Sequence, residues 1–218
     1  MALYYTPENA ITSIEGAKLI TLIISKRTTM ERQTNLTKSI IVVAVITVIL
    51  LIIPLVAMQF TTDVNWSVSD FIIMGGLIFG TGVSFVFVMK YAINFVYRIA
   101  MLGAFGTTFL LVWANLAVGL IGAGPHWGNM MYLAVYVLVV VGSIRSRFVS
   151  NGMERVMYVA AVSLVAIAAI AIVADMGAYP GSSVNEIIAV NGFFATLYAI
   201  VGSLFRLASH EKSTENSA

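Results

Sequence analysis

The sequence predicts an all-α membrane protein, a polytopic bundle of six transmembrane helices with both termini in the cytoplasm. Its composition is the first reason. Hydrophobic residues make up 60% of the chain and charged residues 10%, whereas about a quarter of the residues in soluble domains are charged. The mean hydropathy is +0.95. The lengths of the apolar segments and the placement of the basic residues are the second and third reasons.

Six apolar segments are separated by short polar turns. Each is close to the roughly 20 residues that a helix needs to cross a hydrocarbon core about 30 Å thick. The segments lie at about 39–58, 70–90, 97–121, 129–145, 155–174 and 186–206. They predict a transmembrane domain at 39–207, a cytoplasmic N-terminal segment at 1–38 and a disordered cytoplasmic tail at 208–218.

The 12 lysines and arginines all fall on one side of the membrane once these segments are marked out. Turns 59–69, 122–128 and 175–185 contain none of them. Cytoplasmic loops retain Lys and Arg because these residues resist translocation. The basic residues are Lys18, Lys26, Arg27, Arg32, Lys38, Lys90, Arg98, Arg145, Arg147, Arg155, Arg206 and Lys212. Both termini are therefore predicted to be cytoplasmic.

The first segment is interpreted as a retained signal anchor. Ser39–Ala57 is longer than the core of about 7–15 residues in a signal peptide, and the cleavage pattern after it is poor. Two interpretations of the preceding region stay open. Either residues 10–25 form an amphipathic helix on the cytoplasmic surface, or Met30 is the true start and residues 1–29 are an extension from an upstream start codon.

The second segment carries the strongest packing signal. Gly76 and Gly80 form a GxxxG spacing, and Gly82 extends the small surface. Small residues at this interval let helix backbones approach closely, so that dispersion holds the helices together. We therefore expect helix packing through these three glycines, with the second helix central in the bundle and the alanine-rich fifth helix as its partner.

Two amides lie inside the apolar segments, Asn115 in the third and Asn191 in the sixth. Buried amides in a bilayer hydrogen-bond across helices, and only where they line a water-filled cavity do they mark a pathway. The first interpretation is favoured for both. No charged residue lies at the centre of a segment, which disfavours proton-coupled transport and a retinal-binding lysine.

Polar residues gather in the turns that are predicted to face outward. The candidate outward-face cluster consists of Asp63, Asn65, Trp66, Asp70, His126 and Asp175. Asp70 has a structural explanation near a helix N-terminus, and Trp66 has one in an interfacial aromatic belt. Because a closed bundle brings its outer turns onto one rim, we expect Asp63 near Asp175 or His126, where like charges would recruit a cation.

Whether the protein binds a metal stays unknown from the sequence. His126 is followed by Met130 and Met131, and imidazole with thioether ligands suits copper(I). However, 11 methionines place some near a histidine by chance. The chain has no cysteine, which excludes disulfides and thiolate sites.

No sequence motif nominates a catalytic nucleophile or base. The chain lacks the P-loop, HExxH, GxSxG and dinucleotide signatures. His126 and His210 are its two histidines, and they fall on opposite predicted faces, which disfavours a haem. We expect no cofactor and no nucleic-acid partner; an enzyme is not favoured.

Four stretches carry a resemblance. They are Pro54–Gly82, Phe109–Gly122, Asn129–Phe148 and Gly152–Met157. Across about 50–175, the chain resembles a family of small, uncharacterised bacterial multi-span inner-membrane proteins. The resemblance implies a multi-pass protein of the inner (plasma) membrane, and it implies no activity or site. Members of that family begin close to the first span, which favours Met30 as the start.

Three functions from different classes stay open. The first is an accessory or structural protein that works through helix–helix contacts with a larger membrane complex. For its protein partners, both other membrane proteins and self-association stay open. The second is a pathway for a small solute or cation with an acidic outer face. The third, least favoured, is a lipid-modifying enzyme. The lipid bilayer is a partner in all three.

The topology prediction is tested with reporter fusions. A reporter that is active only in the cytoplasm should be active after Ala218, because both termini are predicted to be cytoplasmic. A reporter that requires export should be active at about residues 65, 125 and 180. Export of the C-terminal fusion contradicts the six-span topology.

Overall fold

The computed structural model describes residues 36–62, 64–89, 94–122 and 126–215, and it consists of helices. The six long helices are α1 (Leu36–Phe60), α2 (Val68–Met89), α3 (Phe95–Ala117), α4 (Met131–Arg145), α5 (Ser150–Val173) and α6 (Val184–Glu215). A 3₁₀ turn, Trp127–Met130, leads into α4, and another, Met176–Ala178, follows α5. No β-strand occurs in these described ranges. The all-α prediction is confirmed.

Each long helix, with the 3₁₀ turn Trp127–Met130 counted together with α4, has the length and composition to cross a membrane. The six apolar spans measure 19 to 27 residues, against about 20 for a bilayer. α6 continues to Glu215, so the predicted tail at 208–218 is helical through residue 215. No glycine or proline occurs between 208 and 215, and nothing in that stretch therefore ends the helix.

The core of the bundle is formed by α3, α4, α5 and α6. In the most apolar stretch of each helix, 39% of residues are buried in α5 and α6, 28% in α3 and α4, and 6% in α1 and α2. The most extensive packing is between α5 and α6. Large side chains from all four core helices are fully buried, including Met101, Tyr132, Met157, Leu164 and Tyr198.

Small residues bring α5 close to α4 and α6. A Cβ added at Gly202 on α6 would lie 3.1 Å from the ring of Tyr158 on α5, and one at Gly142 on α4 would lie 2.8 Å from Val156. Ala160 on α5 is completely buried. The small surface of the fifth helix is thus used against α4 and α6, and not against α2 as the sequence had suggested.

The second helix lies at the edge of the bundle, which corrects its predicted central position. A Cβ at Gly82 would lie 2.6 Å from Val43 on α1, whereas one at Gly76 or Gly80 would meet no atom within 4 Å. Successive residues are turned by about 100° around a helix. Gly75 and Gly82 therefore share the face that packs on α1, and the GxxxG pair lies on the neighbouring, open face.

The structure changes the expected effect of substitutions in α2. Gly82→Leu should lower the free energy of unfolding by about 1–3 kcal/mol, because the added side chain overpacks the contact with Val43. Gly76→Leu and Gly80→Leu should leave it unchanged, since their side chains enter open space. Thermal unfolding of the three variants in one detergent measures the difference, and an equal loss in all three would contradict the packing described.

Candidate functional site

Tyrosine hydroxyls cross between helices in the interior of the bundle. Tyr132 on α4 donates to the Oδ1 of Asn191 on α6 at 3.1 Å. Tyr136, one turn further along α4, donates to the carbonyl oxygen of Leu111 on α3 at 3.2 Å. Residues four apart share one face of a helix, so this face of α4 is joined by hydrogen bonds to both α3 and α6.

A third tyrosine joins α6 to α3. The Tyr198 hydroxyl lies 3.0 Å from the hydroxyl of Thr108. Thr108 already donates its proton to the carbonyl oxygen of Ala104 at 2.8 Å, so Tyr198 is the donor. The residues that connect α3, α4 and α6 are here named the polar ladder: Thr108, Asn115, Tyr132, Tyr136, Asn191 and Tyr198.

Asn191 is a buried and satisfied member of the polar ladder. It is 1% exposed. Its Oδ1 accepts from Tyr132, and its Nδ2 donates to the carbonyl oxygen of Ile187 at 2.9 Å. The geometry is that of an amide holding two membrane helices together.

Asn115 differs because half of its amide lacks a partner. Its Nδ2 donates to the carbonyl oxygen of Asn129 at 3.3 Å. Its Oδ1 is buried and has no hydrogen-bond partner of good geometry among the described residues, although the Tyr136 hydroxyl, which donates to Leu111, lies beside this amide. A buried acceptor left unsatisfied costs about 1–3 kcal/mol. Within the polar ladder, the Oδ1 of Asn115 is therefore the atom that can accept a further hydrogen bond.

Asn129 holds the turn between α3 and α4. Its Oδ1 accepts from the backbone N–H groups of Leu120 and Ile121, both at 2.9 Å, and its Nδ2 donates to the Ile121 carbonyl at 3.1 Å. Gly119 and Gly122 give this turn its positive φ angles of 75° and 71°, which glycine adopts without steric cost. One amide thus satisfies three backbone groups at the end of the bundle.

The turn that contains His126 packs on the turn between α5 and α6. The His126 and Tyr179 ring centroids are 4.3 Å apart, and the His126 Nδ1 accepts from the Gly128 N–H at 3.1 Å. Gly128 is buried beneath the imidazole and Met176, since a Cβ there would lie 3.2 Å from the Met176 sulfur. These two turns and the described residues of the turn at 61–67 belong to the end of the bundle that the sequence predicts to face outward, and this end is here named the outer rim.

The predicted outward-face residues are engaged mainly within their own turns. The Asp70 carboxylate accepts from the Ser67 N–H at 2.7 Å and from the Ser67 hydroxyl at 2.8 Å, which makes it a helix-capping group. Trp66 packs edge-on against Phe71, with ring centroids 5.2 Å apart. Asn65 is exposed.

The expected meeting of Asp63 with His126 or Asp175 falls outside the described residues, because Asp63 is not among them. Asp175 adopts a left-handed conformation with φ of 52° and its side chain is exposed. His126 contacts the turn that Asp175 begins through the ring of Tyr179. No group of three His, Asp or Glu side chains within the described ranges is arranged to hold a metal ion.

The sequence interpretation missed the tyrosines and Asn129. Its polar candidates in the spans were the two amides, since these are conspicuous in apolar segments. Tyrosine is counted as apolar in a hydropathy pattern, although a buried hydroxyl requires a partner. The spacing of Tyr132 and Tyr136 on one face of α4 was the available signal.

Comparison of the chain with protein-family models, curated proteins and solved structures gave no match.

The role of Asn129 is tested by truncation. Asn129→Ala should lower the free energy of unfolding by about 2 kcal/mol, because it leaves the N–H groups of Leu120 and Ile121 without acceptors. Asn185→Ala is the matched control, since Asn185 is an exposed amide near the same end. Chemical unfolding in detergent micelles measures both. An Asn129 variant as stable as the control would show that water replaces the amide.

Proposed function

We propose that this integral membrane protein is an accessory or structural component that acts through helix–helix contacts with a larger complex of the bacterial inner membrane. Its basic end faces the cytoplasm in this proposal, in keeping with the positive-inside rule. The observation that carries the proposal is an open groove of small residues on α2. The groove lies on the part of the chain that is least buried by its own helices.

The groove is formed by Gly76, Gly80 and Ser84. These residues follow each other at intervals of four, so they lie along one face of the helix, and all three are exposed. A Cβ at Gly76 or Gly80 would meet no atom within 4 Å. A second membrane helix with small residues at its crossing point would bring its backbone against this face and gain the dispersion contacts that the chain itself leaves unmade.

The position of α2 supports an outside partner. Only 6% of the residues in the apolar stretches of α1 and α2 are buried, against 39% in α5 and α6. Within the chain, α2 makes a close contact with α1 through Gly82, which lies on a different face of α2. The core helices thus form the stable body of the protein, and the α1–α2 hairpin presents the small-residue groove to the surrounding membrane.

A pathway for a small solute or cation is the second candidate function, and one observation favours it. The Oδ1 of Asn115 is buried without a donor and could accept a hydrogen bond from a passing solute. The other amide of the polar ladder, Asn191, is hydrogen-bonded within the protein, and Tyr132 and Tyr198 are fully buried. Asp70 and Glu186 are used as helix caps. The accessory role is therefore the better supported.

The accessory role is tested by site-directed cross-linking in cells. Because the chain has no cysteine, Gly80→Cys introduces a unique thiol for a benzophenone label. Val162→Cys on α5 is the control, since Val162 is 68% exposed and lies outside the groove. We expect Gly80→Cys to form one discrete cross-linked product that Val162→Cys does not form. Gly76→Leu in the same chain should remove that product by filling the groove.

The mass of the cross-linked product decides the nature of the partner. A product at the chain's 23.5 kDa plus the mass of a different membrane protein supports the accessory role. A product at twice the mass of this chain assigns the groove to self-association and overturns it. Cross-linking that is equal at both positions, or that survives Gly76→Leu, also overturns it.

A further inference from the structure

A polar cleft opens at the end of the bundle opposite the outer rim. It lies between the first turns of α5 and the last turns of the apolar part of α6, and its volume is about 340 Å³. The side chains that line it are Asn151, Glu154, Arg155, Arg206, Ser209 and His210. Two arginines, from two different membrane-spanning helices, therefore converge on one cleft.

The two arginines form no ion pair with a carboxylate in the part of the chain whose side chains the structure describes, although Glu154 also lines the cleft. Both arginines are exposed. A guanidinium group presents planar N–H donors that match two oxygens of a phosphate group. Among the described side chains that line the cleft, two arginines accompany one carboxylate, so these residues favour an anion.

The start of α5 adds to this positive potential. α5 begins at Ser150 after Val149, whose apolar side chain provides no capping hydrogen bond. The backbone N–H groups of Gly152 and Met153 are bonded to the Val149 carbonyl at 3.0 and 2.9 Å, but no side chain caps the helix. The N-terminus of a helix carries a partial positive charge that attracts anions, and Asn151 brings that terminus into the cleft.

The surroundings of the cleft are held in place by hydrogen bonds. The Tyr97 hydroxyl at the start of α3 donates to the carbonyl oxygen of Phe148 at 2.6 Å. The Asn94 Nδ2 donates to the carbonyl oxygen of Ala208 on α6 at 3.3 Å. These contacts tie the turn before α5 and the end of α6 to the same helix, so the two walls of the cleft are positioned by α3.

We propose that this cleft binds the phosphate group of an anionic phospholipid from the membrane leaflet at the basic end. The phosphate would lie between Arg155 and Arg206 near the start of α5, with the acyl chains against the lipid-facing sides of the two helices. Basic pockets between membrane helices are suited to phospholipid headgroups for this reason. A free phosphate ion could bind to the same arginines, and the experiment below distinguishes its binding from that of a phospholipid.

The proposal is tested with the full chain reconstituted into lipid nanodiscs and analysed by native mass spectrometry. Discs contain either phosphatidylcholine alone or phosphatidylcholine with phosphatidylglycerol. We expect the wild type to retain phosphatidylglycerol and the Arg155→Gln/Arg206→Gln variant to retain it at least about tenfold less, because one charge-assisted hydrogen bond is worth about that factor and the variant loses at least one from each guanidinium group. Arg98→Gln/Arg145→Gln removes the same charge from the same end and should behave as the wild type.

A single substitution gives an independent measurement if the double variant does not fold. Glu154→Gln removes the carboxylate from the cleft and should increase retention of phosphatidylglycerol. Equal loss of lipid in both double variants would mean a general charge effect and would overturn the proposal, as would unchanged retention in Glu154→Gln. Stabilisation of the wild type by inorganic phosphate in phosphatidylcholine discs, without a preference for phosphatidylglycerol, would assign the cleft to free phosphate instead.

Discussion

A polar atom inside the hydrocarbon region must find its hydrogen-bond partner within the protein, because no water is there to replace it. In this molecule, tyrosine hydroxyls meet that requirement across helices. Tyr132, Tyr136 and Tyr198 connect α3, α4 and α6. Tyr158 donates from α5 to the Ser203 hydroxyl on α6, since Ser203 donates its own proton to a backbone carbonyl. The four-helix core depends on these directed bonds for its register, and close packing of small residues then fills the space between the helices.

The two ends of the bundle differ in how their charges are used. At the outer rim, the carboxylates of Asp70 and Glu186 are bonded to serine side chains at helix starts, and Asn129 satisfies the adjoining turn. At the opposite end, Arg155 and Arg206 converge on a cleft, and neither forms an ion pair with a residue whose side chain the structure describes. Charges that serve as caps are already satisfied, whereas charges around an open cleft retain the capacity to bind.

The candidate site was only partly predictable from the sequence. Asn115 and Asn191 were identified because amides stand out in apolar segments, and Asn191 does make an interhelical hydrogen bond. The role of Asn129 was not identified, since an asparagine in a turn has the same sequence signature whether or not its amide binds the backbone. The sequence also left open which glycines of α2 pack against another helix. Gly82 contacts α1 while Gly76 and Gly80 do not, although spacing alone favoured the latter pair.

The sequence by itself determined the six apolar spans, the all-α class and the separation of basic from acidic turns, because hydrophobic length and charge are properties of local segments. Only the tertiary structure decided that α5 and α6 form the centre and that α2 lies at the edge. It also brought Arg155 and Arg206, which lie far apart in the sequence, to one cleft. The physical reason is that every span is apolar all round, so that hydropathy distinguishes no inner face. Which face of a helix packs inside the bundle depends on side-chain shape and on hydrogen bonds between residues distant in the sequence. A local sequence pattern does not contain this information.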